Sequence, residues 1–354
     1  MKTSHNFFSN LAFNLAENHI GKTGTNPSVG CVVVKDNSVI SAGVTSINGR
    51  PHAEFNALNK NINFKDSEMY LTLEPCTHYG KTFPCTDLIK RKKIKQVYYC
   101  YDDPDLRTFK KAKKILKEKI KKINITSKNL DFYKSYYLDK MKKLPLIDAK
   151  IAFSKDNFTI NRKSRWITNL RSRKVVHLIR SKYDCVISTS KSINKDNSLL
   201  NCRLDGFNKY KPDLIIIDRN LSLKKTLKLL DISKKRRTYL VTTSKNAKKI
   251  SFFKNKKIKA IHLSRLKYKK DFDQLFQKLF QIGKRRILIE SGLTFLKTIM
   301  NFKLLNNLYI FKSDKKLKKN GFNNIKISGL SKLSVSRRIR INLNNEKLYK
   351  VKIK

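Results

Sequence analysis

Three metal-binding side chains in a short stretch constrain this chain more than any other feature. They lie in Pro51-His52-Ala53-Glu54, in Pro75-Cys76 and, nine positions after that cysteine, in Pro84-Cys85. One imidazole and two thiols bind a single tetrahedral zinc and leave its fourth position for water. A fold that satisfies them must bring all three segments to one point. Glu54, two residues after the histidine, then lies beside that water without taking a metal position, which suits it to carrying protons. Each residue alone has a plainer explanation. A single histidine is more often a core or surface residue than a ligand, and cysteines are often inert and buried. All four in this order within 34 residues favour the zinc site.

The hydrophobic pattern places the motif on an alternation of strands and helices. Residues 5–20 have helical spacing, with Phe8, Leu11, Leu15 and Ala16 on one face, and Gly21–Thr25 ends that helix. Cys31–Val34 reads as a buried strand, Asp36-Asn37 as a turn, and Val39–Val44 as the hairpin partner. Pro51 starts a helix with His52 and Glu54 in its first turn, Met69–Leu73 is a strand, and Pro84-Cys85 opens a helix through Arg91. Helix starts suit thiolates, because unpaired amides stabilise negative charge there. Val97–Tyr101 is a further strand, followed by a lysine-rich helix near 108–119, a short strand near 120–126 and a helix from Asp131 to Lys143. This is an α/β/α layer. A boundary falls at Leu144-Pro145, giving domains of residues 1–144 and 145–354. Beyond it, strands at 146–153, 183–188, 213–218, 238–242, 258–263 and 286–289 alternate with helices through Arg180, around 270–282 and at 292–301. That is a second α/β domain with a largely parallel sheet. No G-x-G-x-x-G is present, but Glu290-Ser291-Gly292 follows an apolar strand and precedes a helix, where a phosphate can meet backbone amides.

At 354 residues the chain is long enough for two cores. It has no run of eighteen apolar residues and no secretory signal. Six scattered cysteines argue against a disulfide framework and for reduced thiols, so a cytoplasmic enzyme with no membrane partner is expected. The net charge of +54 would suit a nucleic-acid binder. The lysines, however, are spread through both halves, and no nucleic-acid motif accompanies them. A general drift in composition accounts for them better, with long-range attraction for anionic, phosphate-bearing substrates as its consequence.

The first-half motifs have the layout of zinc deaminases, H-x-E followed by P-C and a second cysteine, in which the glutamate is not a ligand. Both halves together resemble the bifunctional deaminase–reductase family of riboflavin biosynthesis. The resemblance rests on Asn26-Pro27-x-Val29-Gly30-Cys31, on Pro51-His52-Ala53-Glu54-x-Asn56-Ala57-Leu58 and on Glu74-Pro75-Cys76-x-His78-Tyr79-Gly80-Lys81-Thr82-x-Pro84-Cys85-Thr86-Asp87. In the second half it rests on Ser164-Arg165-Trp166-Ile167-Thr168, His177-Leu178-Ile179-Arg180, Asp196-Asn197 and Leu200-Asn201-Cys202-Arg203. It covers roughly residues 5–300, with the eight-residue spacer between Cys76 and Cys85 as its most specific part.

The resemblance implies a cytidine-deaminase-like α/β/α domain followed by a dihydrofolate-reductase-like α/β domain. It implies zinc on His52, Cys76 and Cys85, with Glu54 catalytic in hydrolysing an exocyclic amine of a diaminopyrimidinone ribosyl phosphate. Asn26, His78 and Lys81 would meet that substrate, the last two at its phosphate. NADPH-dependent reduction of the ribosyl group to ribityl would follow. Ser164, Arg180, Leu200, Arg203 and Glu290 would line the substrate, while Ala152, Trp166, Ser192, Asp196 and the segment from Gly292 would contact NADPH. The expected partner is the phosphorylated ribosylaminopyrimidine, and a homo-oligomer is compatible with this reading. Three departures stand out. Ser154-Lys155-Asp156-Asn157 replaces Ser-Leu-Asp-Gly, Glu290-Ser291-Gly292-Leu293 replaces a Glu-Gly-Gly-Pro-like turn, and Thr45 stands where a histidine is common. Competing readings are a deaminase with a degenerate reductase domain, a deaminase acting on RNA, and a basic nucleic-acid-binding protein with a structural zinc.

Overall fold

The computed structural model describes residues 2–80, 82–124, 131–209, 211–325 and 338–353. The chain divides into two compact units, Met1–Leu144 and Pro145–Lys354. In the first, the long helix α1 (Lys2–Glu17) precedes β1 (Gly30–Lys35) and β2 (Ser38–Val44). Asp36 and Asn37 both have positive φ, 50° and 59°, the geometry of a two-residue hairpin turn. Helix α2 (Ala53–Leu58) leads to β3 (Glu68–Leu73), and α3 (Cys85–Arg91) to β4 (Gln96–Tyr101). Then come α4 (Ala112–Leu116), β5 (Ile120–Lys122) and α5 (Lys134–Tyr137). The sheet order is β2-β1-β3-β4-β5, antiparallel at β2/β1 and β1/β3 and parallel thereafter. Successive residues of β1 feed opposite layers: Val32 and Val34 pack with Phe8 and Ala12 of α1, whereas Cys31 and Val33 pack with Ala57, Met69 and Ile89. Such two-sided burial is why Cys31–Val34 is apolar throughout and does not alternate.

The lysine-rich helix near 108–119 is shorter than its pattern predicts. Lys117, at φ 52°, breaks it, and a single 3-10 turn Lys117–Lys119 replaces its end. Likewise the 131–143 helix is α5 plus one wide turn, Leu138–Lys142, stopped by Lys143 at φ 53°. The expected strand near 120–126 is β5, Ile120–Lys122, and residues 125–130 lie outside the described residues.

The second unit contains β6 (Leu146–Phe153), β7 (Phe158–Asn161), α6 (Leu170–Ser181), β8 (Cys185–Thr189), α7 (Ser190–Asp196) and β9 (Asp213–Ile217). It continues with α8 (Leu229–Ile232), β10 (Thr238–Thr242), α9 (Ala247–Asn255), β11 (Ile258–His262), α10 (Lys269–Gln281), β12 (Arg286–Ile289) and α11 (Leu293–Asn301). β13 (Asn307–Lys312), β14 (Gly321–Asn324), β15 (Arg338–Ile339) and β16 (Lys347–Lys352) complete it. The main sheet has nine strands in the order β11-β10-β9-β8-β12-β6-β13-β16-β15. It is parallel from β11 to β13 and antiparallel where β16 joins β13 and β15 joins β16. The central strands are again buried on both faces: Ile215 and Ile217 pack on one side, Leu214 and Ile216 on the other. Because β6, β12 and β8 are neighbours, the loops leaving their C-terminal ends converge, as open parallel sheets require of a ligand site. Among the described residues, no helix is long and apolar enough to cross a membrane.

Candidate active sites

In the first unit His52 caps α2, Cys76 follows β3, and Cys85 begins α3. Three local features hold α2 against the sheet. Ser41 Oγ donates to Ala57 O at 2.6 Å, and Asn56 Nδ2 donates to Val44 O at 2.7 Å. Gly43 lets the helix approach, since a Cβ there would lie 2.3 Å from Ala53 O and 2.5 Å from Ala57 N. His52 Nδ1 then stands 3.6 Å from Cys76 Sγ and 3.5 Å from Cys85 Sγ. The three donor atoms all lie within 4.8 Å of one another.

This spacing fits zinc. Bonds of about 2.3 Å to sulfur and about 2.0 Å to nitrogen at tetrahedral angles place S and N about 3.5 Å apart. The donor chemistry agrees: hydrogen bonds from Cys85 and His52 hold the Cys76 thiol well below its ordinary range, against the effect of burial. Cys85 N also donates to Cys76 Sγ at 3.3 Å. Glu54 is 4% exposed in the first turn of α2, and burial pushes its carboxyl up to about 7. A carboxyl in that range gives and takes protons with equal ease near neutrality.

Glu74, the glutamate of the Glu-Pro-Cys motif, anchors a loop beside the site. Its buried carboxylate accepts from the backbone amides of Asp103, Lys110 and Ala112 at 3.2, 3.0 and 3.1 Å. Thr77 Oγ1 donates to Arg107 O, and His78 Nδ1 contacts Thr108 Oγ1 at 3.2 Å, so the 103–112 loop is fixed beside the second ligand segment. Burial lowers the His78 pKa, with Arg107 adding to the effect. Asn26 Nδ2 donates to Gly49 O at 2.8 Å and so braces the turn before the histidine. Lys81 lies outside the described residues. Thr45, in place of a histidine, accepts from Val29 N through Oγ1 at 2.9 Å and tightens the hairpin base.

In the second unit the candidate residues divide. Arg180, on α6, forks onto Glu290 at the end of β12: Nε–Oε1 is 2.5 Å and Nη2–Oε2 is 3.0 Å. Its Nη1 donates to Asn201 O at 3.0 Å. Lys150 of β6 lies 3.6 Å from Glu290 Oε2. Burial alone would raise the Glu290 carboxyl, but the Arg180 and Lys150 charges outweigh it and hold it at about 2. Arg203, exposed, donates to Asn201 Oδ1 at 2.6 Å and is the arginine of the pair left facing solvent. Leu200 is buried at φ 52°, with its carbonyl held by Arg236 Nη2 at 2.9 Å. Ser192 Oγ accepts from Gly292 N at 3.1 Å and ties the start of α7 to the start of α11. Asp196 ends α7 within electrostatic reach of Lys150 and Arg165. Ala152 packs half-buried against one core layer. Ser164 Oγ accepts from Trp166 N at 3.2 Å, and Trp166 is 45% exposed, with Arg165 and Arg173 over its ring at 4.8 and 4.4 Å. These contacts do not join Ser164 and Trp166 to the Arg180–Glu290 pair. Lys150 was missed, and its signal was a lysine inside the strand run Ile147-Asp148-Ala149-Lys150-Ile151.

Two departures are accommodated. Asn157 adopts φ 72°, a conformation asparagine tolerates where glycine is usual, and Asp156 beside it accepts from Leu317 N and Lys318 N. Ser291 does not have positive φ, so no left-handed backbone calls for glycine there.

Residues 2–101 match the family model of the cytidine and deoxycytidylate deaminase zinc-binding region, and residues 145–313 match the RibD C-terminal domain. The chain is 29% identical over 316 residues to the riboflavin biosynthesis protein RibD of Aquifex aeolicus, covering 86% of this chain and 85% of that one. It is 28% identical over 347 residues to the protein of the same name from Haemophilus influenzae, covering 92% and 90%. A solved diaminohydroxyphosphoribosylaminopyrimidine deaminase/5-amino-6-(5-phosphoribosylamino)uracil reductase from Thermotoga maritima superposes with a TM-score of 0.81 at 25% identity, covering 99% of each chain. Acinetobacter baumannii RibD shares the fold, with a TM-score of 0.79 at 23% identity.

Proposed function

The chain belongs to the RibD family of bifunctional riboflavin-biosynthesis enzymes, and from that premise we propose how its two sites divide the work. The first unit hydrolyses the exocyclic amine of the diaminopyrimidinone ribosyl phosphate, and the second reduces the ribosyl group of the product to ribityl with NADPH.

His52, Cys76 and Cys85 hold zinc. When bound, the ion supplies Lewis acidity that lowers the pKa of water to about 7. Glu54 takes a proton from the attacking water and passes it to the ring nitrogen; it then takes the remaining proton of the added hydroxyl and delivers it to the amine, which leaves as ammonia while the carbonyl forms. Its burial serves this cycle, because a solvated carboxylate would be too weak a base and too strong an acid to be restored near neutrality. Glu74 holds the 103–112 loop, and with it the Thr108 contact that orients His78 toward the substrate.

In the second unit the protein supplies orientation, and hydride chemistry comes with NADPH. Ser192 and Gly292 fix the two helix starts that face the cofactor. Glu290 is positioned by Arg180 and Lys150, so the Lys150 ammonium is the cation placed toward the sugar, and Arg203 is the one free for the phosphate.

The observation that carries this reading is the His52–Cys76–Cys85 spacing of 3.5 and 3.6 Å beside a buried Glu54. Supplying the diaminopyrimidinone ribosyl phosphate with NADPH to the zinc-loaded protein should release ammonia first and then consume NADPH. Ammonia release with no NADPH consumption would leave a deaminase with a degenerate second unit.

A further inference from the structure

Arg50 immediately precedes the Pro-His-Ala-Glu motif, and none of the roles above uses it. Its Nη1 donates to Thr82 Oγ1 at 2.6 Å, which brings the guanidinium over the loop joining the two thiols. Nη2 lies 3.6 Å from the point a side-chain carbon on Gly80 would occupy, and His78 Nε2 lies 4.0 Å from the same point. The Arg50 and His78 nitrogens thus lie on the same side of Gly80, which is exposed and places no side chain between them. The other ring nitrogen of His78 is already engaged with Thr108. No described carboxylate pairs with Arg50, although Asp105 neutralises Arg107 nearby at 2.6 Å. A half-buried guanidinium without a counter-ion, one donor spent on Thr82 and the rest of its fork available, is suited to a phosphate monoester.

We propose that Arg50 is a specificity-determining residue that binds the phosphate of the deaminase substrate, with His78 Nε2 on the same side of Gly80 completing the subsite. This rests on the deaminase reading and adds to it the residue that makes the first unit select phosphorylated over free ribosyl substrates. Arg50 touches no reacting atom, so it acts on binding and leaves the hydrolytic step alone.

The test uses the zinc-loaded full chain with Arg50→Gln, Arg50→Lys and Thr82→Val. Glutamine keeps an amide donor for Thr82 but removes the charge; valine keeps the charge but removes the tether. Ammonia release is measured on the phosphorylated substrate and on its dephosphorylated counterpart, and ribose 5-phosphate binding is followed by calorimetry. Arg50→Gln should raise KM for the phosphorylated substrate about tenfold, the loss of one charge-assisted contact. In that variant kcat should stay within about twofold and the dephosphorylated substrate should be processed as by wild type. Ribose 5-phosphate should bind correspondingly weaker to Arg50→Gln, and Arg50→Lys should recover part of the loss. Thr82→Val should keep most of the preference. The proposal is overturned if Arg50→Gln loses equally on both substrates, if it binds ribose 5-phosphate like wild type, or if Thr82→Val matches it. If the wild type releases no ammonia from either substrate, the deaminase reading fails, and ribose 5-phosphate binding still decides the subsite.

Discussion

Glu290 is a carboxylate placed where a lone charge would be costly, and its two cationic neighbours make it tolerable. Removing it leaves Arg180 buried and Lys150 half-buried without their counter-charge. Glu290→Ala should therefore destabilise the second unit by about 3 kcal/mol or more. Denaturant unfolding followed by the fluorescence of Trp166, the single tryptophan and part of that unit, measures this directly. The same pair predicts acid sensitivity. Glu290 has its pKa lowered from 4.5 to about 2 on folding, so the unfolded chain binds its proton more readily. The stabilisation is complete above about 4.5 and is lost as the pH falls toward about 2. Glu290→Gln should flatten the stability profile in that window, and an unchanged slope would show that the ion pair contributes nothing there.

At the scale of elements, the site depends on how closely helix α2 lies on strand β2. Gly43→Ala drives a methyl into the backbone of Ala53 and Ala57, neither of which can yield without moving the helix start. That variant should lose zinc stoichiometry and ammonia release together, measured by atomic absorption and by assay, while Trp166 fluorescence is retained. In the second unit Asn157→Ala should cost about 1 kcal/mol, because alanine at φ 72° lacks asparagine's tolerance of the left-handed region. Asn157→Gly should cost nothing or stabilise slightly.

Most of these elements are legible in the sequence, because the central strands are buried on both faces and read as apolar runs: 146–153, 238–242 and 286–289 are bounded as the pattern predicts. The C-terminal strands were not. β16 is Lys347-Leu348-Tyr349-Lys350-Val351-Lys352, half lysine, and its pairing with β13 depends on a register that no local pattern encodes. The candidate zinc ligands were readable because a histidine and two cysteines in fixed order limit the chemistry. The Arg180–Glu290–Lys150 cluster was only partly so, since a contact spanning 110 positions is set by strand order and not by spacing.

For the whole molecule, a net charge of +54 distributed over both units creates a long-range field that attracts phosphorylated substrates. KM for the ribosyl phosphate should accordingly rise as ionic strength increases from about 50 to about 200 mM, with kcat unchanged. A flat KM would show that the charge is a matter of composition alone. The two units carry different chemistry and different cofactors, so each should fail separately: chelation of zinc should abolish ammonia release while a supplied deaminated intermediate still oxidises NADPH.

The most direct test of the central claim is Glu54→Gln assayed for bound zinc, ammonia release and NADPH oxidation in one experiment. The variant should retain zinc on His52, Cys76 and Cys85 and lose ammonia release by about a hundredfold or more. It should still reduce the deaminated intermediate when that is supplied. Ammonia release at the wild-type rate would contradict the proton-carrying role of Glu54 and, with it, the account of the first site.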